Sequence, residues 1–281
     1  MVRVSGREYN GLIGSPCYQR GKLSCISCHS MHDSDPDKQL IPELAGNQAC
    51  TQCHRDKATN VSTHTHHRAD SSGSSCYNCH MPHTTYGLLR AMRSHQISVP
   101  RVQETLATGR PNACNGCHLD RSLGWTAAAL QRWYGAPLPS LTSEQQTLSA
   151  ALLDGARGEP GVRALAAWSL GWDAARAASP GDWMAPLLIE LLDDEYSAVR
   201  YNAYRSLRKI SDFADFEYDY VAPQEARWKA QEVARQRWSR TKNAPANRPE
   251  LLFSADGRFA RGELERLMAE RPEDDEMFLA E

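Results

Sequence analysis

The pattern of apolar and polar positions divides the chain into two parts. The first part, up to residue 118, lacks periodic apolar runs and is rich in Gly, Ser, Pro and Asn. From Ser122 onward apolar residues recur with helical spacing, beginning with a predicted helix over 124–134. We therefore predict a mainly α-helical chain with little regular sheet, made of one domain over 1–121 and a second over 122–281.

Two stretches of the second part follow the same order of residues. Residues 145–171 contain Val162-Arg163, residues 184–210 contain Val199-Arg200, and the offset between the two valines is 37 residues. An internal period of this length is typical of helical repeats. Because an acidic turn precedes the second Val-Arg pair, the unit resembles a HEAT repeat; two unrelated amphipathic helix pairs are the alternative.

The end of the chain is also expected to be helical. A long charged helix is predicted over 222–240, and Pro245 and Pro249 end it. A last short helix is predicted over 262–270, before an acidic tail. The second domain is therefore expected to be all-helical whether or not its helix pairs are repeats.

The pattern Cys-x-x-Cys-His occurs four times in the first part, and it is the attachment signature of c-type haem. Its two cysteines can reach two vinyl groups of one porphyrin, and the histidine can bind the iron. Cys-x-x-Cys pairs also occur in zinc sites and redox dithiols, but a histidine after all four pairs favours haem. The predicted thioether cysteines are Cys25, Cys28, Cys50, Cys53, Cys76, Cys79, Cys114 and Cys117. The predicted proximal iron ligands are His29, His54, His80 and His118.

The remaining histidines can occupy the distal coordination positions of the haem irons. All ten histidines lie at or before position 118, so six are left after the proximal ligands. Imidazole is a strong axial ligand, and four distal positions can therefore be filled with histidine. The predicted distal ligands are His32, His64, His67, His83 and His95.

Local spacing suggests how some of these ligands are used. His32 and His83 each stand three residues after a proximal histidine, and we expect them to bind the iron of a neighbouring haem. His64 and His67 are three residues apart and would share a helical face, which leaves His66 as the spare histidine.

Three methionines and one cysteine remain as other candidates. Met31, Met81 and Met92 are rival axial ligands, which a surplus of histidine makes less favoured. Cys17 is the ninth cysteine, and we expect it to be a buried apolar side chain; a free thiol or half of a disulfide to another segment are alternatives.

Charge and hydropathy narrow the class of protein. Residues 1–118 carry 12 Lys+Arg and 8 Asp+Glu, and the rest carry 20 and 26, so the two parts are formally +4 and −6. The basic residues are scattered and form no nucleic-acid-binding motif. No apolar run approaches the roughly 18 residues of a membrane span.

The first residues do not resemble a signal peptide, although attachment of c-type haem requires export of the chain. We therefore expect a periplasmic or extracellular protein whose leader or N-terminal region is absent from this sequence.

Three motif segments and one histidine segment carry a further resemblance: Ser24 to His32, Ser75 to Pro82, Pro111 to His118, and Arg93-Ser94-His95. They resemble a family of bacterial multihaem c-type cytochromes that end in HEAT or tetratricopeptide repeats. Cys79-His80-Met81-Pro82 is followed in the chain by Arg93-Ser94-His95. This combination of segments is similar to one in pentahaem nitrite reductases and in octahaem hydroxylamine or tetrathionate enzymes. That resemblance implies that His95 is a distal ligand. The catalytic haem of those enzymes finds no match here, and the further haem motifs that family members carry toward their N-terminus are also missing.

These observations favour a protein that transfers electrons, and not an enzyme. Four haems would form the apolar core that the first part lacks, and the helical part would be a scaffold or docking surface. The expected partners are redox proteins or copies of the chain itself, in a homo-oligomer, a filament or a larger cytochrome complex. The alternative is a redox enzyme that acts on a small nitrogen or sulfur oxyanion at one open haem; a haem-based sensor is a third class.

Overall fold

The computed structural model describes residues 8–30, 32, 39–87, 89–239 and 245–271. They form two compact units. The three-motif unit comprises the described residues of Gly6–His83 and Arg93–Pro100, and the helical unit comprises those of Thr84–Met92 and Arg101–Glu281. The fourth Cys-x-x-Cys-His motif falls in the helical unit. This division differs from the predicted ranges 1–121 and 122–281, which stay a prediction as limits of independent domains.

The three-motif unit is built from short helices joined by turns. Its helices are α1 (Glu8–Ile13), α2 (Pro16–Gln19), α3 (Gln48–Thr51), α4 (Arg55–Thr59), α5 (Val61–Thr65) and α6 (Cys76–His80). Local signals set their ends: the Ser15 side chain accepts a hydrogen bond from the Tyr18 amide at the start of α2, and His66 ends α5 in the left-handed conformation at φ 58°.

The three-motif unit has almost no apolar core of its own. Among its described residues, the buried apolar side chains are Leu12 and Ala49. Two such side chains cannot offset the conformational entropy of ordering the whole unit. The unit therefore needs another source of apolar surface, as the sequence predicted.

A β-hairpin supplies the sheet of this structure. Strands β1 (His83–Gly87) and β2 (Arg90–Arg93) pair with each other. Tyr86 and Ala91 belong to the main core of the helical unit. The Tyr86 hydroxyl accepts a hydrogen bond of 2.9 Å from the Asn202 side-chain amide. The end of the hairpin is thus held within the helical unit.

The helical unit consists of helices that pack around a large apolar core and a smaller one, the latter formed by Val102, Leu123, Ala127 and Leu130. The helices are α7 (Val102–Thr108), α8 (Leu123–Tyr134), α9 (Ser143–Thr147), α10 (Ala150–Arg157), α11 (Pro160–Ser169), α12 (Asp173–Ala178), α13 (Ala185–Glu190), α14 (Ser197–Leu207), α15 (Gln224–Ser239) and α16 (Arg261–Ala269). Together with the short helices of the other unit, they confirm the predicted mainly α-helical fold with little sheet.

The two stretches with the 37-residue offset are both helix pairs. Helix α10 packs on α11, α13 packs on α14, and the second helices of the two pairs pack on each other. Pro160 begins α11, where its missing N–H costs no hydrogen bond. The pairs agree with the predicted helices, whereas their identity as HEAT repeats stays a prediction.

The close approach of α11 and α14 gives a stability prediction at Gly171. A Cβ atom built there would lie 2.8 Å from Ser206 Cβ and 2.9 Å from Ser206 Cα, both in α14. Because backbone must move to make room, we expect Gly171→Ala to destabilise the chain by about 1–3 kcal/mol, measured by chemical denaturation. Gly262→Ala in α16 is the control: no atom lies within 4 Å of its added Cβ, so stability should be unchanged or slightly higher.

None of the described helices is both long enough and apolar enough to cross a membrane.

Candidate haem sites

The four Cys-x-x-Cys-His motifs adopt closely similar local turns. In the first, second and fourth motifs, the second cysteine N–H donates to the carbonyl of the first cysteine at 3.2 Å. In the same three motifs the histidine N–H donates to that carbonyl at 2.8–2.9 Å. The third motif is the single-turn helix α6. One hydrogen-bonded turn therefore contains the two cysteines and the histidine of each motif, as attachment to one porphyrin requires.

Backbone carbonyls orient several of the predicted ligands. The Nδ1 atom of His29 lies 3.2 Å from the Gln39 carbonyl oxygen, and that of His80 lies 2.9 Å from the Ser98 carbonyl oxygen. Metal-binding histidines commonly donate one ring N–H in this way, which leaves the other nitrogen for the metal. Neither acceptor could be identified from the sequence, since each carbonyl lies outside the motif that it serves.

Two predicted distal histidines make the same kind of contact. His95 Nδ1 lies 3.2 Å from the Arg93 carbonyl oxygen, and His67 Nδ1 lies 2.6 Å from the Thr65 carbonyl oxygen. These acceptors are only two residues away in the chain. The Nε2 atom of His95 is thereby left as a possible metal donor.

In the described part of the three-motif unit, the His29 ring lies close to the His95 ring and the His64 ring lies close to the His80 ring. The ring centroids of His29 and His95 are 6.2 Å apart, with 30° between the ring planes. Those of His64 and His80 are 6.1 Å apart, with nearly parallel planes at 4°. Each pair joins one predicted proximal ligand to one predicted distal ligand.

Burial keeps three of the predicted distal ligands neutral. Desolvation lowers the pKa of His64 and of His95. Burial and the nearby Arg93 guanidinium lower the pKa of His83 to about 3. Since neutral imidazole is the form that binds a metal, these side chains are in the right protonation state near neutral pH.

The histidines around α5 differ from the expected arrangement. Helix α5 ends at Thr65, and His66 adopts the left-handed conformation, so His64 and His67 do not share a helical face. The expected shared face is therefore wrong, although both side chains stay predicted ligands. The exposed His66 is in keeping with a spare histidine.

Two further predicted ligands are exposed. His54, the proximal histidine of the second motif, lies at the start of α4. The His32 N–H donates to the Ser30 hydroxyl at 3.2 Å, and residues 33–38 lie outside the described residues. The structure does not place a second imidazole on either of them, so their ligand roles stay predictions.

Side chains from distant parts of the chain hold the third motif. The Asn47 amide accepts from the Cys76 N–H at 2.9 Å and donates to the Ser74 carbonyl at 2.8 Å. The Arg93 guanidinium donates to the Asn78 side chain at 2.8 Å and lies over the Tyr77 ring, 5.7 Å from its centroid. These contacts fix α6 without a large apolar core.

The thiols of different motifs also lie close to one another. A hydrogen bond between the Cys50 and Cys76 thiols raises the pKa of Cys50 and lowers that of Cys76 to about 7. Burial and the neighbouring Cys53 raise the pKa of Cys28. The first three motifs are therefore neighbours within one unit.

The fourth motif is built into the helical unit. Asn115 donates to the Arg121 carbonyl at 3.0 Å and accepts from the Thr126 hydroxyl at 2.7 Å. The Ser179 hydroxyl donates to the Cys117 carbonyl at 3.2 Å. The His118 ring lies 4.9 Å from the Trp125 ring, a neighbour that the sequence did not reveal. The sequence ranges of this unit contain no other histidine.

The remaining candidates from the sequence are the three methionines and Cys17. Met81 follows α6 and Met92 lies in β2, while Met31 falls outside the described residues. Cys17 lies in α2 and is half-buried, which corrects the expectation that it is buried. Among residues 8–30, 32, 39–87, 89–239 and 245–271, no group of three or more His, Cys, Asp or Glu side chains could hold a metal ion.

One family model matches the chain. Residues 18–59, which contain the first two motifs, match the model described as a doubled CXXCH motif. No curated protein and no solved structure matches this chain. The doubled motif supports a multihaem c-type cytochrome, and Cys-x-x-Cys-His motifs imply covalently bound c-type haem.

The residues around the motifs fit such a group. Each motif brings its cysteines and histidine into one turn, the Nδ1 atoms of His29 and His80 are occupied by carbonyls, and the three-motif unit lacks an apolar core. A porphyrin would supply both the missing apolar surface and the metal for the remaining imidazole nitrogens.

Proposed function

We propose that this chain is an electron-transfer protein that carries four covalently attached c-type haems, each with a histidine as proximal ligand. The observation that carries the proposal is the recurrence of one local turn at all four motifs, two of which lie outside the doubled-motif match. Haem iron supplies reversible one-electron chemistry, with a potential that the axial ligands and burial adjust.

The arrangement of the motifs supports transfer between haems. Three motifs share one unit, and the Cys50 and Cys76 side chains are close enough to shift each other's pKa. Thioether bonds at those two positions would hold neighbouring porphyrin edges close together. In this proposal the cysteines fix the spacing between haems, and the histidines and their carbonyl partners fix the orientation of the ligands.

The helical unit is proposed to act as a scaffold and docking surface built from HEAT-like helix pairs. Its expected partners are redox proteins or further copies of the chain, and its expected location is periplasmic or extracellular. The proposal assigns no catalytic residue, because the predicted histidines suffice to close every iron with two imidazoles.

The haem count can be tested at the fourth motif, which lies outside the doubled-motif match. We expect the intact mass of the chain, produced with haem attachment, to include four haems. The Cys114→Ser, Cys117→Ser variant should lose one haem and keep three. The matched control is Cys17→Ser, which should keep all four. A mass with two haems in the unchanged chain would restrict the proposal to the doubled motif.

A second candidate function is reduction or oxidation of a small nitrogen or sulfur oxyanion at one open haem. The observation that favours it is the lack of a second histidine in the sequence ranges of the unit that holds His118. Carbon monoxide decides between the two functions because it binds ferrous haem with an open position. Stoichiometric binding at one haem of the unchanged chain would support the enzyme; no binding would support the electron carrier.

A further inference from the structure

Two close pairs of histidine rings in the three-motif unit allow distal ligands to be assigned to particular haems. We propose that His95 is the distal ligand of the haem attached to Cys25 and Cys28, opposite His29. We propose in the same way that His64 is the distal ligand of the haem attached to Cys76 and Cys79, opposite His80. The assignment rests on the proposed attachment of haem to these motifs.

The distance between the rings matches two ligands of one metal. A metal–imidazole bond is about 2 Å long and the ring centre lies roughly 1.2 Å beyond the nitrogen, so opposite ligands have centroids roughly 6.3 Å apart. The observed distances are 6.2 Å for His29 and His95 and 6.1 Å for His64 and His80. Aromatic pairs without a metal also occur in this range, and the pairing therefore needs further support.

The orientation of the rings supplies that support for the first pair. The Nδ1 atoms of both His29 and His95 contact backbone carbonyl oxygens, of Gln39 and Arg93 respectively. Only Nε2 is left on each ring to bind a metal. A Cβ atom built at Gly11 would lie 3.1 Å from the His95 carbonyl carbon, so α1 packs closely against the His95 backbone.

The local packing supplies independent support for the second pair. The Thr65 hydroxyl, next to His64, lies 2.9 Å from the Ser74 hydroxyl, and Ser74 also donates to the His67 carbonyl at 3.4 Å. These contacts tie the end of α5 to the turn that leads into Cys76. His80 Nδ1 is held by the Ser98 carbonyl, which again leaves Nε2 for the iron.

The assignment changes what the other histidines can do. Two of the distal positions in the three-motif unit are taken by side chains from outside any motif. The haem of the second motif then has His32, His67 and His83 as candidate distal ligands within the same unit.

The test removes each distal ligand from the full haem-loaded chain. His95→Ala and His64→Ala should each keep all haems by mass, and each should create one haem that binds carbon monoxide when reduced and is high-spin when oxidised. Added imidazole should reverse both signals. His66→Ala is the matched control and should create no such haem.

A second set of variants identifies which haem has lost its distal ligand. In the Cys25→Ser, Cys28→Ser background, which lacks the first haem, His95→Ala should add no carbon-monoxide-binding haem, whereas His64→Ala should still add one. In the Cys76→Ser, Cys79→Ser background the two results should be exchanged. A new binding site that persists after its assigned haem is removed would overturn that assignment.

The unmodified chain provides a test that does not depend on the folding of any variant. In a crystal structure of the haem-loaded protein, the Nε2 atoms of His95 and His64 should be bonded to the irons of the first and third haems. A different ligand on either iron overturns the assignment for that haem. A chain without attached haem instead overturns the proposed function, so the two failures are distinguishable by mass alone.

Discussion

Without haem, the three-motif unit is expected to lose its structure while the helical unit keeps its own. Its described residues bury only Leu12 and Ala49 among apolar side chains. Ordering the backbone costs about 1–2 kcal/mol per residue, and burial of one large apolar side chain returns only about 1.5–3 kcal/mol. Hydrogen exchange of chain produced without haem attachment should therefore show no lasting amide protection in this unit.

The helical unit is the internal control for that measurement. Its core contains fully buried side chains such as Leu188, Val199 and Leu207, and none of these depends on a porphyrin. Amides of α11 and α14 should stay protected in the haem-free chain. Equal protection of the three-motif unit with and without haem would contradict the idea that porphyrin forms its core.

The helical elements could be predicted well because periodicity and local end signals agree. Ser122 accepts a hydrogen bond from the Trp125 N–H at the start of α8, and Gly135 ends that helix at φ 65°. The predicted helix over 124–134 is observed as Leu123–Tyr134. The helix predicted over 222–240 is observed as Gln224–Ser239, within two residues of the predicted bounds.

The haem motifs could also be recognised from the sequence, but their surroundings could not. A Cys-x-x-Cys-His turn is local, so its spacing is visible in the sequence. The carbonyl oxygens of Gln39 and Ser98 that orient His29 and His80 depend on tertiary folding. Backbone acceptors have no sequence signature, and neither does the proximity of the His29 and His95 rings.

The structure differs from the sequence predictions in the face on which His64 and His67 lie and in the unit that contains the fourth motif. His66 is left-handed, which ends α5 before His67, and helical spacing between His64 and His67 therefore did not apply. The fourth motif lies in the helical unit because Asn115, Thr126 and Ser179 bind its backbone and flanking turns. Composition had placed that motif with the other three.

A buried ion pair explains the arginine of Val162-Arg163, which is part of the Val-Arg pair that both helix pairs contain. Its guanidinium donates to both carboxylate oxygens of Asp194 at 2.8 and 3.2 Å, and the two side chains are 1% and 0% exposed. Asp194 lies in the acidic turn before α14 and also accepts from the Tyr196 N–H at 3.0 Å. The pair thus joins the first helix pair to the turn of the second.

Asp194→Ala should therefore destabilise the helical unit strongly. The variant leaves the Arg163 guanidinium buried without its carboxylate, and removal of one partner of a buried ion pair costs about 3–5 kcal/mol. Thermal or urea unfolding followed by far-ultraviolet circular dichroism measures the loss. The double variant Arg163→Met, Asp194→Ala should be less destabilised than Asp194→Ala alone, because that buried arginine is no longer present.

An exposed ion pair provides the matched control for this prediction. Asp215 lies 2.6 Å from the Arg237 guanidinium, but its side chain is 81% exposed. Solvent screens such a pair, so Asp215→Ala should change the stability by less than about 1 kcal/mol. If Asp194→Ala had an equally small effect, water would have to reach Arg163 in solution, and the tight contact between the two helix pairs would not be maintained there.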